Sequence, residues 1–173
     1  AAVFGLLLVV VVILVTIVGR IVYGADPFEM VALPFTPPFS DAAVPFGTDH
    51  VGRDVLAGII NGGAATLMVG GSAALLTVFI GVTVGAIAGY YGGLVDEMLM
   101  RVTEFFQVLP ALILAMVLVS LFSPSLTTIA IAIGVVSWPA TARLTRAEFL
   151  RIKQLDYVKS ARAIASSDTH IIW

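Results

Sequence analysis

The sequence predicts an all-α fold: a polytopic bundle of at least four membrane-spanning helices, followed by a polar helical segment. Three observations carry this expectation. Only 12% of the 173 residues are charged and 60% are hydrophobic, whereas a soluble domain carries roughly a quarter charged residues. The charges are also confined, because no Asp, Glu, Lys or Arg lies between residues 1 and 19, between Asp54 and Asp96, or between Glu104 and Arg143. These intervals hold four stretches near the length of about 20 apolar residues that crosses a bilayer, and a helix is the form that satisfies its own backbone there. Finally, the basic residues Arg143, Arg146, Arg151, Lys153, Lys159 and Arg162 gather after the last interval, so the net charge of -2 says less than its distribution.

The first element is a span over residues 1–23. Its apolar run extends through Val18 with no basic residue before it, which is too long and wrongly flanked for a cleaved signal peptide with an apolar core of about 7 to 15 residues. The chain starts on Ala1 rather than Met, and cytoplasmic residues are expected ahead of it. Residues 24–63 form a loop and interfacial segment. Asp26, Glu29, Asp41, Asp49 and Asp54 face the single base Arg53, and Pro27, Pro34, Pro37, Pro38 and Pro45 deny the segment long regular helices.

Residues 64–146 are expected to hold the core helices. The second span runs from about Ala64 to Tyr90, with Ala73, Thr77, Gly81, Gly85 and Gly89 recurring every four residues. On a helix this makes one smooth stripe against which another helix can pack closely, a reading that outweighs a role in lining a substrate path. The YYGGLVDE stretch at 90–97 reads as a turn, with glycines ending one helix and carboxylates opening the next at its positive end. A third span follows from about Met98 to Phe122. Glu97 and Arg101 are one turn apart and able to pair, and Glu104 is either a charge in the headgroup zone or an ionisable functional group. Pro110 predicts a kink. Ser123 to Ser125 reads as a short turn, and the fourth span occupies about Thr127 to Leu144, with Pro139 near its exit.

Lys and Arg concentrate on the cytoplasmic side of membrane proteins, so the basic segment is expected inside and the acidic loop outside. Several chemistries are excluded. The chain has no cysteine, hence no disulfide or thiolate metal site. Its only lysines, Lys153 and Lys159, follow Ile152 and Val158 rather than glycine, so no nucleotide-binding loop of the GxxxxGK[ST] type exists. The only histidines, His50 and His170, fall on opposite predicted sides of the membrane and cannot share a metal. HExxH and GxSxG are absent, and the span interiors offer hydroxyls, glycines and Glu104, against a chemistry that needs a base within hydrogen-bond reach of a nucleophile. A catalytic role is not expected.

The last stretch, DYVKSARAIASSDTHIIW from Asp156 to Trp173, is polar and rich in small residues. Asp156 can cap one short helix, and Ser166 or Ser167 a second with Asp168 in its first turn. A bent pair with small residues at Ser160, Ala161, Ala163 and Ala165 would fit a groove on a soluble partner, or would simply be a solvated loop.

This segment resembles the EAA loop of ATP-binding-cassette importer permeases, of general form (E/D)YVxAARAxGxSxxxII. Asp156, Tyr157, Val158, Ala161, Arg162, Ala163 and Ser167 match, and Ser160 replaces a family alanine. The family glycine at the bend falls on Ala165, and the glutamate after YV falls on Lys159. Three further stretches resemble the dipeptide, oligopeptide and nickel permease group: FGTDHVGRDVLAGIINGGAATL at 46–67, AGYYGGLVDEMLMR at 88–101 and SWPATARLTRAEFL at 137–150. They resemble LGTDxLGRDxLSRLIYGARxSL, AGYxGGxxDxxLMR and WPxYARLxRxxxL of its C-type subunit, in the family order.

The resemblance implies a type I importer permease fold in a bacterial or archaeal cytoplasmic membrane. Its coupling loop, residues 147–173 with the start of the next helix, would contact the ATPase through Asp156, Tyr157, Val158, Ser160, Ala161, Arg162, Ala163, Ala165, Ser166 and Ser167. The implied partners are a second permease, two cytoplasmic ATP-binding subunits that carry ATP and Mg, and an external substrate-binding protein; no nucleic acid, metal or cofactor is expected on this chain. The family core has six spans, so two more are expected after the loop. For Gly47, Thr48, Asp49, Gly52, Arg53 and Asp54, either an Arg53–carboxylate fork fixes the loop locally or the motif meets the binding protein. The rival function is a membrane scaffold or channel-like subunit that merely recruits a cytoplasmic partner.

Overall fold

The computed structural model describes residues 2–156 and Val158. Within them lie α1 (Ala2–Val22), α2 (Val55–Tyr91), α3 (Gly93–Val108), α4 (Ala111–Leu121) and α5 (Leu126–Ile152). Apart from these helices, the α1–α2 loop carries two isolated antiparallel bridges, Met30 with Arg53 and Thr48 with Asp54. The helices α1, α2 and α5 are each long and apolar enough to cross a membrane, and α3 with α4 is so as a pair bent by 87°.

Four boundaries differ from expectation, one of them the start of α3, at Gly93 rather than near Met98. Helix α2 starts at Val55 rather than near Ala64, because Asp54 caps it by accepting the Leu56 N–H at 2.8 Å. Its 37 residues rise about 1.5 Å each and so outreach the roughly 30 Å hydrocarbon core. Helix α5 runs on to Ile152, past Leu144, through a polar last part that carries Arg146, Glu148 and Arg151. It also continues through Pro139, which removes one helix hydrogen bond and is buried together with Trp138 and Ala142. At Pro110 the expected kink is a full break: Leu109 is extended, at φ -75° and ψ 131°, as a residue before proline prefers, and a new helix begins. Ser125 caps α5 by accepting the Thr128 N–H at 3.0 Å.

The chain divides into two compact units, residues 1–68 and 69–173. In the first, α1 packs antiparallel on the opening turns of α2: a methyl added at Gly19 would lie 3.0 Å from Ile60 Cδ1, and one at Gly63 would lie 2.9 Å from Thr16 Oγ1. Thr16 satisfies its hydroxyl on the Val12 carbonyl at 2.7 Å and is the one buried side chain described on α1. The remaining face, including Leu6, Leu14 and Ile17, is exposed, as suits a helix whose solvent is lipid.

In the second unit the contacts ascend together along α2 and α5. Leu76 meets Gly134, Gly81 meets Thr141, Gly85 meets Ala142 and Thr145, and Gly89 meets Phe149. The two helices are therefore parallel neighbours. The contact runs along the small-residue stripe, and a Cβ at Gly81 would lie 2.5 Å from Thr141 Cβ and one at Gly89 2.6 Å from Phe149 Cβ. At Gly85 it would run into the Ala142 carbonyl oxygen. Backbone thus packs almost on backbone, the contact that glycine permits in membranes. Thr77 Oγ1 donates to the Gly134 carbonyl at 3.3 Å, and Trp138, buried, takes the Phe106 ring edge-on at 5.5 Å. Parallel spans must be joined by a segment that crosses back, so α3 and α4 together make one bent crossing and the described chain has four.

Gly85→Leu is expected to destabilise the fold by about 1–3 kcal/mol or more, since the added side chain meets the Ala142 and Arg146 backbone and the Thr145 Cβ of α5, none of which gives way easily. Gly70→Ala, with nothing within 4 Å of its new methyl, is expected to leave stability unchanged or slightly raised. Thermal unfolding of the two variants in the same detergent checks the contrast.

Candidate functional site

Two places in the structure gather the residues singled out from the sequence. The first is the α1–α2 loop, where Gly47, Thr48, Asp49, Gly52 and Asp54 of the motif each have a local structural task. Gly47 and Gly52 sit at φ 74° and 89°, where a side chain is strained. A Cβ there would also strike the Thr36 and Ala32 carbonyls. Thr48 Oγ1 accepts the Thr36 N–H at 2.9 Å and donates to the Leu33 carbonyl at 2.5 Å. Asp49 Oδ1 accepts the backbone N–H groups of Val51 at 2.8 Å and Arg53 at 2.9 Å. These two bonds, Arg53 first, hold the Asp49 carboxyl below the usual range.

The expected Arg53–carboxylate fork does not form. Asp49 is taken up by backbone donors, and Asp54 by the Leu56 N–H and by the Tyr23 hydroxyl, which donates to Oδ2 at 2.5 Å. The Arg53 guanidinium lies instead over the Phe28 ring, 5.7 Å from its centre, in cation–π contact, and its buried Nε has no hydrogen-bond partner. The Tyr23–Asp54 bond ties the end of α1 to the start of α2. Burial first, then the Asp54 hydrogen bond and charge, push the Tyr23 phenol up to about 12. The spacing of Tyr23 and Asp54 gave no periodic signal for this bond.

The second place is where α2 and α5 end and α3 begins. Arg146 on α5 forms a two-pronged ion pair with Asp96 in the first turn of α3, Nε to Oδ1 at 2.5 Å and Nη2 to Oδ2 at 2.6 Å. Lys153, just past α5, donates from Nζ to the Tyr90 carbonyl at 2.8 Å, satisfying one of the carbonyls that a helix C-terminus leaves open. Arg151 pairs with Glu148 on the same helix. The chain then continues into Asp156, exposed, and Val158, buried, whose N–H reaches the Leu155 carbonyl at 3.1 Å. Tyr157, Ser160, Ala161, Arg162, Ala163, Ala165, Ser166 and Ser167 lie outside the described residues.

The Asp96–Arg146 fork is absent from the sequence reading, which assigned Asp96 only to a helix start and Arg146 only to the basic cluster. The signal was available: both fall on lettered positions of the quoted motifs, the D of AGYxGGxxD and the final R of ARLxR. A second correction concerns Arg101. It pairs with Glu104, at 3.2 Å, rather than with Glu97; both acids are within one turn, and the two partners stay largely exposed at 72% and 59%, so the pair contributes little. Among the described residues no cluster of three or more His, Asp or Glu could hold a metal ion.

Tyr23→Phe is expected to cost roughly 0.5–3 kcal/mol, the span from an ordinary hydrogen bond to one made to a charged group. The pH dependence has a definite sign. A phenol whose folded pKa is raised from 10.0 to about 12 stabilises the fold fully below pH 10, and that contribution fades as pH climbs through the interval toward 12. Thermal midpoints of parent and variant should therefore differ at pH 8 and converge as the pH rises through that interval.

Comparison with known proteins gives these two places a context. Residues 81–173 match the family model described as the binding-protein-dependent transport system inner membrane component. The chain is 37% identical to the dipeptide transport system permease protein DppC of Haemophilus influenzae over 93% of its own length and 56% of the relative. It is 40% identical to the oligopeptide transport system permease protein OppC of the same organism over 67% of its length and 37% of the relative. To the glutathione transport system permease protein GsiD of Pectobacterium atrosepticum it is 35% identical, over 73% of its length and 42% of the relative. The chain thus spans about half the length of the curated relatives it matches. With more than half of the residues inside the family model and nearly all of them aligned to one relative, the chain belongs to the binding-protein-dependent transport system inner membrane components.

Proposed function

We propose that the chain is part of a permease subunit of an ATP-binding-cassette importer for peptides. The observation that carries this reading is the alignment of 93% of the chain with a dipeptide transport permease at 37% identity. Relatives named for oligopeptide and glutathione transport support peptides as the class of solute. The spans carry no polar pattern that singles out one ligand.

In this reading the segment after α5 faces the cytoplasm, as its cluster of Arg and Lys favours, and the acidic α1–α2 loop faces outward. An external binding protein delivers the solute to a pathway that this subunit forms with a second permease. Two cytoplasmic ATPase subunits bind ATP and Mg and grip the segment from Asp156 to Ser167. When they close around nucleotide, the gripped segment moves, and helices packed as tightly as α2 on α5 carry the motion into the membrane. Access then switches from one side to the other by rocking of helix groups.

The test is uptake of a labelled peptide into vesicles that hold the whole assembly and are supplied with its binding protein. Uptake is expected to require ATP and to be lost in Ala163→Glu or Ala161→Glu, with the variant permease still inserted in the membrane. Conductance without ATP, or uptake indifferent to both substitutions, would instead favour a channel-like or scaffolding subunit.

A further inference from the structure

The α5 terminus is attached to its neighbours by three contacts of different kinds. Gly89, near the end of α2, packs on α5 so closely that a Cβ there would stand 2.9 Å from the Arg146 carbonyl oxygen. The same Arg146 reaches with its side chain to Asp96 on α3 through two short bonds. Two turns further along, Lys153 caps the Tyr90 carbonyl at the end of α2. One arginine therefore touches both neighbouring helices, with backbone on α2 and guanidinium on α3. The planar fork fixes direction as well as distance, and at 34% and 15% side-chain exposure the pair is partly withdrawn from the water that weakens surface ion pairs. Arg146 lies ten residues before Asp156 in the chain, so whatever displaces the segment after α5 acts close to this junction.

We propose that Asp96 and Arg146 are positioning residues for energy coupling. Their fork makes the end of α5, the end of α2 and the start of α3 move as one body, so that displacement at Asp156 reaches three helices rather than one. This role rests on the importer reading above. Without the fork, α5 still packs on the α2 glycines but slides past α3, and ATP is hydrolysed without moving the pathway.

The experiment compares peptide uptake and ATP hydrolysis by the whole importer in liposomes. In Asp96→Asn and in Arg146→Gln, peptide moved per ATP hydrolysed is expected to fall by about tenfold, within the usual range of coupling between sites. The charge-swapped pair Asp96→Arg with Arg146→Asp should recover part of that ratio, and Arg146→Lys, which keeps the charge but not the fork, should lie between. Uptake and hydrolysis falling in proportion, or a ratio unchanged in the single variants, overturns the role while leaving the importer reading intact. A parent assembly without ATP-driven uptake overturns both. A second measurement does not depend on the variants folding. Spin labels are placed at Leu94→Cys and Leu144→Cys, positions 79% and 73% exposed on α3 and α5, in an importer whose other cysteines, if any, are replaced. Their separation should be the same with and without ATP; a change in that separation in the parent overturns the one-body role.

Discussion

The parallel packing of α5 along the glycine face of α2 is the constraint on which the rest of the second unit depends. Hydrocarbon offers no hydrophobic drive for one helix to leave lipid and meet another, so association comes from close van der Waals contact and from polar groups that find partners. Gly81, Gly85 and Gly89 supply the first and the Thr77–Gly134 bond the second. Because the two helices point the same way, α3 and α4 have to return across the bilayer, and the break at Pro110 is where that return changes direction. The ends of α2 and α5 are thereby brought side by side, which is what allows Arg146 and Lys153 to reach Asp96 and Tyr90.

The α1–α2 loop solves a different problem. It is rich in proline and cannot satisfy its backbone with a helix, so side chains take over that task. Asp49 collects two N–H groups, Thr48 bridges the Thr36 N–H and the Leu33 carbonyl, and Asp54 caps α2 while holding Tyr23. Five of the six motif residues are accounted for by local geometry. Arg53 is the exception: its backbone takes part in the turn, while its side chain rests on Phe28.

Much of this was legible beforehand. The existence and type of the spans follow from long uncharged stretches, because the penalty for an unsatisfied backbone in lipid leaves few alternatives to a helix. The small-residue stripe at four-residue spacing announced a close contact, though not its partner. Helix ends were harder to place. Asp54 began α2 nine residues before the expected point and α5 ran eight residues past Leu144, because caps and pairing at the polar ends, not hydropathy, set those limits.

The sequence by itself determined that the chain is helical, that it crosses a membrane several times and which of its segments carries the basic charge, since each of these depends on local composition and a known solvent. It also determined the family, because four motifs in a fixed order leave little room for coincidence. Only the tertiary structure decided that α2 and α5 are parallel, that Pro110 separates two helices, and that Arg146 pairs with Asp96 while Arg53 lies over Phe28 and pairs with no carboxylate among the described residues. The helix contact and the fork join residues far apart in the sequence, Leu76 with Gly134, Gly89 with Phe149 and Asp96 with Arg146, and which of several chemically acceptable partners meets a given side chain is set by the packing of whole helices.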